Sequence, residues 1–181
     1  MPDTIALDGF PEDAPIFYGP DVSVGYLNSL LQDERAFIAG GYARDMHYGK
    51  TPRDIDYWIK YRTVDFHKTG YVDNVQLIIN KLVDAGIPYE EHNMYGSNDH
   101  RGRLAVYKIP GADLIFVENV ESAVNDFDFN LNQFYMDPEA GPVYVGESDP
   151  ADGLVQLQFD DRCNNRLPKM QAIWELFYGK S

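Results

Sequence analysis

FIAGGYARDMHYGKTPRDIDYWI, residues 37–59, is the stretch whose reading decides the fold. AFIAGG predicts a short buried strand that ends in the double glycine Gly40-Gly41. YARDMHY fits a helix starting directly from that turn, KTPRD is a loop, and IDYWIKY alternates like a second strand. Glycines without side chains let backbone amides approach a phosphate closely. The helix that follows aims its partially positive N-terminus at the same place. Asp54 and Asp56 stand at i and i+2, a spacing that puts both side chains on one face of a strand. Two neighbouring carboxylates repel when ionised and favour a divalent cation. Hard oxygen ligands with positions left open suit magnesium, whose shell substrate phosphates complete. Two such ions can activate an attacking hydroxyl and stabilise the leaving oxygen of an in-line phosphoryl displacement. Each residue also has a plain alternative: a tight turn for the glycines, a solvated edge strand for Asp54 and Asp56. Asp45 would then complement a helix dipole and Arg44 pair with a carboxylate.

Before this stretch, residues 1–20 hold four prolines and no periodicity, which predicts an irregular arm with one short strand at APIFY. Val24, Leu27, Leu30 and Leu31 fall at helical spacing, with Asp21 as the expected N-cap. After it, DNVQLIINKLVDAG predicts an amphipathic helix with Val75, Ile78, Ile79, Leu82 and Val83 in one stripe and Gly86 as its C-terminal signal. RLAVYKI and DLIFVEN flank PGA as an antiparallel hairpin. VESAVNDF reads as a short helix, LNQFYMD as a strand, PEAGP as a turn and PKMQAIWELFY as a closing helix. The class expected is α+β, a small mixed or antiparallel sheet flanked by helices. An arm at 1–20 would precede one domain over 21–181.

Composition sets limits on function. With 44% hydrophobic and 24% charged residues, the chain reads as soluble and globular, and no run approaches a membrane span. The lone Cys163 leaves no internal disulfide framework and, with no leader in view, predicts a cytoplasmic protein. A net charge of −14 opposes non-specific nucleic-acid binding. That charge is segregated: residues 35–68 carry seven Lys and Arg against four acids, while 109–161 carry twelve acids and no base. His47, His67, His92 and His100 lack metal-ligand spacing.

Gly40, Gly41, Tyr42, Ala43, Arg44 and Asp45, followed by Asp54-Ile55-Asp56, resemble the G-G-x-x-R-D and D-x-D signature of polymerase-beta-type nucleotidyltransferases. The head domain of tRNA nucleotidyltransferase and bacterial poly(A) polymerase is the nearer likeness. Its later R-R-D-F-T-I-N motif is similar to FDFNLNQFYMD, which supplies Asp128, Phe129 and Asn132 but has Asp126 and Phe127 where the basic pair would stand. The resemblance covers roughly residues 36–178. It implies Asp54, Asp56 and Asp113 as catalytic metal ligands holding two magnesium ions, with Glu118 as the rival for the third place. It implies nucleotide contacts from Gly40, Gly41, Arg44, Asp45, Lys50, Arg53 and Asn132.

The activity implied by the resemblance is transfer of an NMP from an NTP to an acceptor hydroxyl, with release of pyrophosphate. The acceptor would be a tRNA or other RNA 3′-end, a small molecule or a protein side chain. A head of this size is similar to the compact nucleotidyltransferases of phages, mobile elements and toxin systems. The second reading is a catalytically weak binding module that engages a protein partner through the acidic run at 109–161.

Overall fold

The computed structural model describes residues 22–66, 70–92 and 103–179. The expected arm, the APIFY strand, the Asp21 cap, His67 and His100 lie outside those residues. The class is α+β, with a small mixed sheet and flanking helices, as the sequence predicts. By compactness the chain gathers into two units. Among the described residues, one comprises those of 22–36 and 57–120, the other those of 37–56 and 121–179.

The first unit opens with α1 (Val24–Leu30). Its cap is Ser23, whose side chain accepts from the Tyr26 amide at 3.2 Å. The signature helix is α3 (Asn74–Asp84), where Asp73 caps by accepting from the Gln76 amide. At its other end the Ile87 amide bonds to the Leu82 carbonyl and the Gly86 amide to that of Val83, a Schellman closure. Of the expected stripe, Ile78, Ile79 and Leu82 are buried, whereas Val83 is 57% exposed. Just before α3 lies a hairpin that periodicity did not reveal, β3 (Thr63–Phe66) against β4 (Gly70–Asp73). Each strand is only four residues long, at the lower limit for alternation to be read.

The main sheet has strand order β1-β2-β7-β6-β5. Its strands are β1 (Ala36–Ile38), β2 (Ile55–Lys60), β5 (Glu90–Glu91), β6 (Arg103–Ile109) and β7 (Ala112–Val117). β6 and β7 form the expected antiparallel hairpin, with Ile109 paired to Ala112. Fully buried apolar residues of this unit include Leu27, Ile59, Ile78, Leu82, Leu114 and Phe116. Each such side chain contributes about 1.5–3 kcal/mol relative to exposure. A buried polar corner ties the unit's loops. Asn74 donates to Glu34 and to the Lys60 carbonyl, and Arg62 grips Glu34 through two nitrogens.

The second unit carries α2 (Gly41–His47), β8 (Phe134–Asp137), β9 (Gly141–Tyr144) and α5 (Asp161–Tyr178). α4 (Val120–Ala123) continues into a 3-10 turn at Val124–Asp126. Two expectations are corrected here. The segment LNQFYMD is a strand only from Phe134; Asn130–Asn132 is a 3-10 turn. Asn130 dictates this, because its side chain donates to the carbonyls of Ser148 and Gly153 and accepts from the Val155 amide. The closing helix begins at Asp161 rather than Pro168. Asp160 caps it by accepting from the Cys163 amide at 2.9 Å. Pro168 rides inside the helix although it lacks an amide to donate. Burial of Cys163 and an ion pair made by Arg166 hold the turns that precede it. Phe129, Leu131 and Met170 form this unit's core, covered by Leu154, Ile173, Trp174 and Phe177.

Candidate functional site

The second unit brings Gly40 and Asp56 together, while Asp54 precedes the strand, so the two acids do not share a strand face as their spacing predicts. β1 leads into Ala39, whose amide donates to the Asp56 carbonyl at 3.2 Å. Gly40 follows with φ +87° and ψ −138°, a conformation open in practice only to glycine, and it caps α2. Its amide donates to the Phe134 carbonyl at 2.9 Å, and its carbonyl accepts from the Arg44 amide at 3.0 Å. A Cβ at Gly40 would lie 3.7 Å from Asp56 Oδ2 and 3.8 Å from the Phe127 ring, which is ordinary contact. Backbone conformation, not crowding, therefore demands glycine there. The same distance shows the Asp56 carboxylate beside the turn, although sixteen positions separate the two in sequence.

Asp56 is the second residue of β2 and half-buried. Asp54 sits in the loop immediately before that strand and is exposed. Lys50 and Arg53, in the same loop, are exposed. Asp113 is the second residue of β7, opposite Lys108, and belongs to the first unit. Glu118, its rival, is exposed. Among the described residues, no three His, Cys, Asp or Glu side chains are gathered into a ready-made metal cluster. Asp54 is exposed and Asp56 half-buried, and carboxylate oxygens are the donor class that suits an ion keeping most of its shell for water and phosphate.

The remaining candidates lie in a different environment. Arg44 is only 9% exposed. Its Nε donates to Asp45 Oδ1 at 2.8 Å, its Nη2 lies 2.7 Å from the same oxygen, and its Nη1 donates to Asn132 Oδ1 at 2.7 Å. Asn132 Nδ2 then donates to Asp128 Oδ1 at 3.0 Å, and Asp128 Oδ2 pairs with Arg166 on α5. The structure thus links Asp45, Arg44, Asn132, Asp128 and Arg166 into one chain of charge-assisted hydrogen bonds. Asp128 and Asn132 are buried, and burial of the carboxylate is compensated by two partners. Arg166 is not among the site residues that the sequence reading singles out. The missed signal was Asp128 itself, since an acid inside an apolar motif needs a cation from elsewhere in the chain.

No helix among the described residues is long and apolar enough to cross a membrane. No protein-family model matches the chain, and no curated protein matches it in sequence. Among solved structures, the chain is similar to a tRNA nucleotidyltransferase complexed with a primer tRNA and an incoming ATP analog. There the identity is 20% and the TM-score 0.36, over 63% of this chain and 30% of that one. It is also similar to a CCA-adding enzyme complexed with CTP, at 15% identity and TM-score 0.36, over 82% of this chain and 32% of that one. The chain spans about a third of the length of these structures, and the likeness is distant.

Proposed function

We propose that the corner formed by Gly40, Gly41, Asp54 and Asp56 binds a nucleoside triphosphate with magnesium and transfers its NMP to an acceptor hydroxyl, releasing pyrophosphate. The observation that carries this reading is the approach of the Asp56 carboxylate to the Gly40 turn. A phosphate at the N-terminus of α2 would face the Gly41 amide, since that of Gly40 donates to the Phe134 carbonyl, and would lie beside the Asp56 carboxylate, which needs a cation between the two. Magnesium, when bound, would supply charge neutralisation and polarise the reacting oxygens. Asp54 and Asp56 would hold it. Asp113 is proposed as the third carboxylate, which would also help deprotonate the acceptor. Lys50 and Arg53 are free to approach the triphosphate from the loop. The acceptor hydroxyl would belong to an RNA 3′-end, such as that of tRNA, to a small molecule or to a protein side chain.

Titration of each NTP into the wild type and Asp54→Ala, with magnesium and then with EDTA, tests this reading by calorimetry. We expect magnesium-dependent binding in the wild type that is lost in the variant. The variant should melt within about 0.5 kcal/mol of the wild type, because an exposed carboxylate is removed. Absence of binding by all four NTPs sinks the proposal.

One observation favours the second reading, a binding module with weak chemistry. The nitrogens of Arg44 are already engaged by Asp45 and Asn132, and Asn132 is shared with Asp128. Two of the proposed nucleotide contacts thus serve the fold, and Asp126 and Phe127 stand where the basic pair would be. In that case the acidic run at 109–161 would meet a protein partner.

A further inference from the structure

The second unit contains a hollow of about 400 Å³ beside the C-terminal end of α2. That size suits a small-molecule ligand. Its aromatic wall is built by Tyr48, Phe134, Tyr144 and Tyr178, and the exposed carboxylates Glu147 and Asp149 line it together with His47, Gly146 and Pro150. The rings brace one another. Phe134 and Tyr144 have centroids 5.0 Å apart, Tyr48 and Tyr178 5.4 Å, and Tyr48 stacks on Phe177 at 4.2 Å. His47 tilts against Phe134 at 4.9 Å. A braced wall keeps its shape without a ligand. No Lys or Arg lines the hollow among the described residues.

We propose that this hollow binds an alkylammonium ion. Aromatic rings attract organic cations through their quadrupoles, and a carboxylate within reach adds a Coulomb term. Phosphate and carboxylate ligands would be repelled by Glu147 and Asp149. A hard metal ion would find rings in place of most of its oxygens. The phenols report the same field: burial, then the charge of Asp149 and the neighbouring Tyr178, pushes Tyr144 up to about 12. Tyr48 is raised further, by burial and the Tyr178 hydroxyl first and by Asp149 after them. Burial is the larger cause of both shifts, and Asp149, the lesser one, supplies the negative charge that a cation entering the hollow would meet. The site stands apart from the glycine corner, at the other end of α2, and does not depend on nucleotidyl transfer.

The test uses the full chain and four probes: tetramethylammonium, its neutral isostere tert-butanol, spermidine, and Nα-acetyl-lysine methylamide. Binding is read by calorimetry and by the tyrosine ring-proton shifts in NMR. We expect saturable binding of the cations, none of tert-butanol, and a loss of about tenfold or more in Glu147→Gln/Asp149→Asn. Asparagine keeps the acceptor that Asp149 offers to the Ala151 amide, so the turn is preserved and an unchanged melting temperature checks it. Tighter binding of spermidine identifies a free amine as the ligand; tighter binding of the lysine derivative identifies a side chain of a protein. Failure of every cation to saturate, equal uptake of tert-butanol, or undiminished binding in the double variant overturns the proposal.

Discussion

The second unit holds two groups of polar residues that contrast in one respect, their exposure to solvent. The chain from Asp45 through Arg44, Asn132 and Asp128 to Arg166 is largely buried, and each member bonds to the next. At the glycine corner, Asp54, Lys50 and Arg53 are exposed and Asp56 is half-buried. Buried polar groups must be satisfied by the protein, since leaving one unpaired costs about 1–3 kcal/mol. Exposed groups are satisfied by water, which a ligand can displace. The first group therefore bonds within the fold, whereas the second lies nearer to solvent, although both fall within the same sequence resemblance.

Substitutions can break this contrast, and the largest effect belongs to the buried chain. Asp128→Ala would leave Arg166 and the Asn132 amide without their acceptor. We expect a loss of about 3 kcal/mol in urea unfolding, at the low end for a buried pair because Arg166 is partly exposed. A loss under about 0.5 kcal/mol would show that the chain is incidental.

Next come the two glycines, which sharpen the comparison within a single turn. Gly40→Ala forces a side chain onto φ +87° and should cost about 2 kcal/mol in the same assay. Gly41→Ala places its Cβ 3.5 Å from the Arg44 guanidinium, an ordinary contact at a helical position. Its stability should change by less than about 0.5 kcal/mol. If nucleotide binding nevertheless falls in Gly41→Ala, the demand for glycine there comes from the ligand.

The smallest effect is electrostatic and lies outside both groups. The Asp137 carboxylate accepts from the amides of Ala140 and Glu139 in the β8–β9 turn, which holds its pKa below the usual carboxylate value. A folded pKa below the unfolded one means stabilisation that is complete above the unfolded value of about 4 and is lost as pH falls through the folded value. Hydrogen exchange at the Glu139 and Ala140 amides, compared at matched intrinsic rates, should show protection declining over that acid window. In Asp137→Asn the decline should vanish.

Much of the fold was legible in the sequence because its signals are local. Strand, double glycine, helix and D-x-D follow within residues 37–59, and each rests on neighbours a few positions away. The same holds for α3, with its apolar stripe and Gly86, and for the hairpin of β6 and β7. Asn132 was misread for the opposite reason. The apolar residues around it suggested a strand, but the side chain of Asn130 captures backbone groups 18 to 25 positions distant. The start of α5 was hidden in the same way, since Pro168 imitates a helix N-terminus while burial of Cys163 carries the helix back to Asp161.

By itself, then, the sequence determined the α+β class and the order of the main elements, with a glycine turn followed by the strand that carries Asp56. Tertiary structure alone decided which charged candidates are consumed by the fold. Arg44 meets Asn132 across 88 positions, and Asp128 meets Arg166 across 38. It also decided that scattered tyrosines from α2, β9 and α5 would share one acidic hollow. No local pattern encodes these meetings. They follow from packing, which sets which polar groups lose water and so which partners they must find.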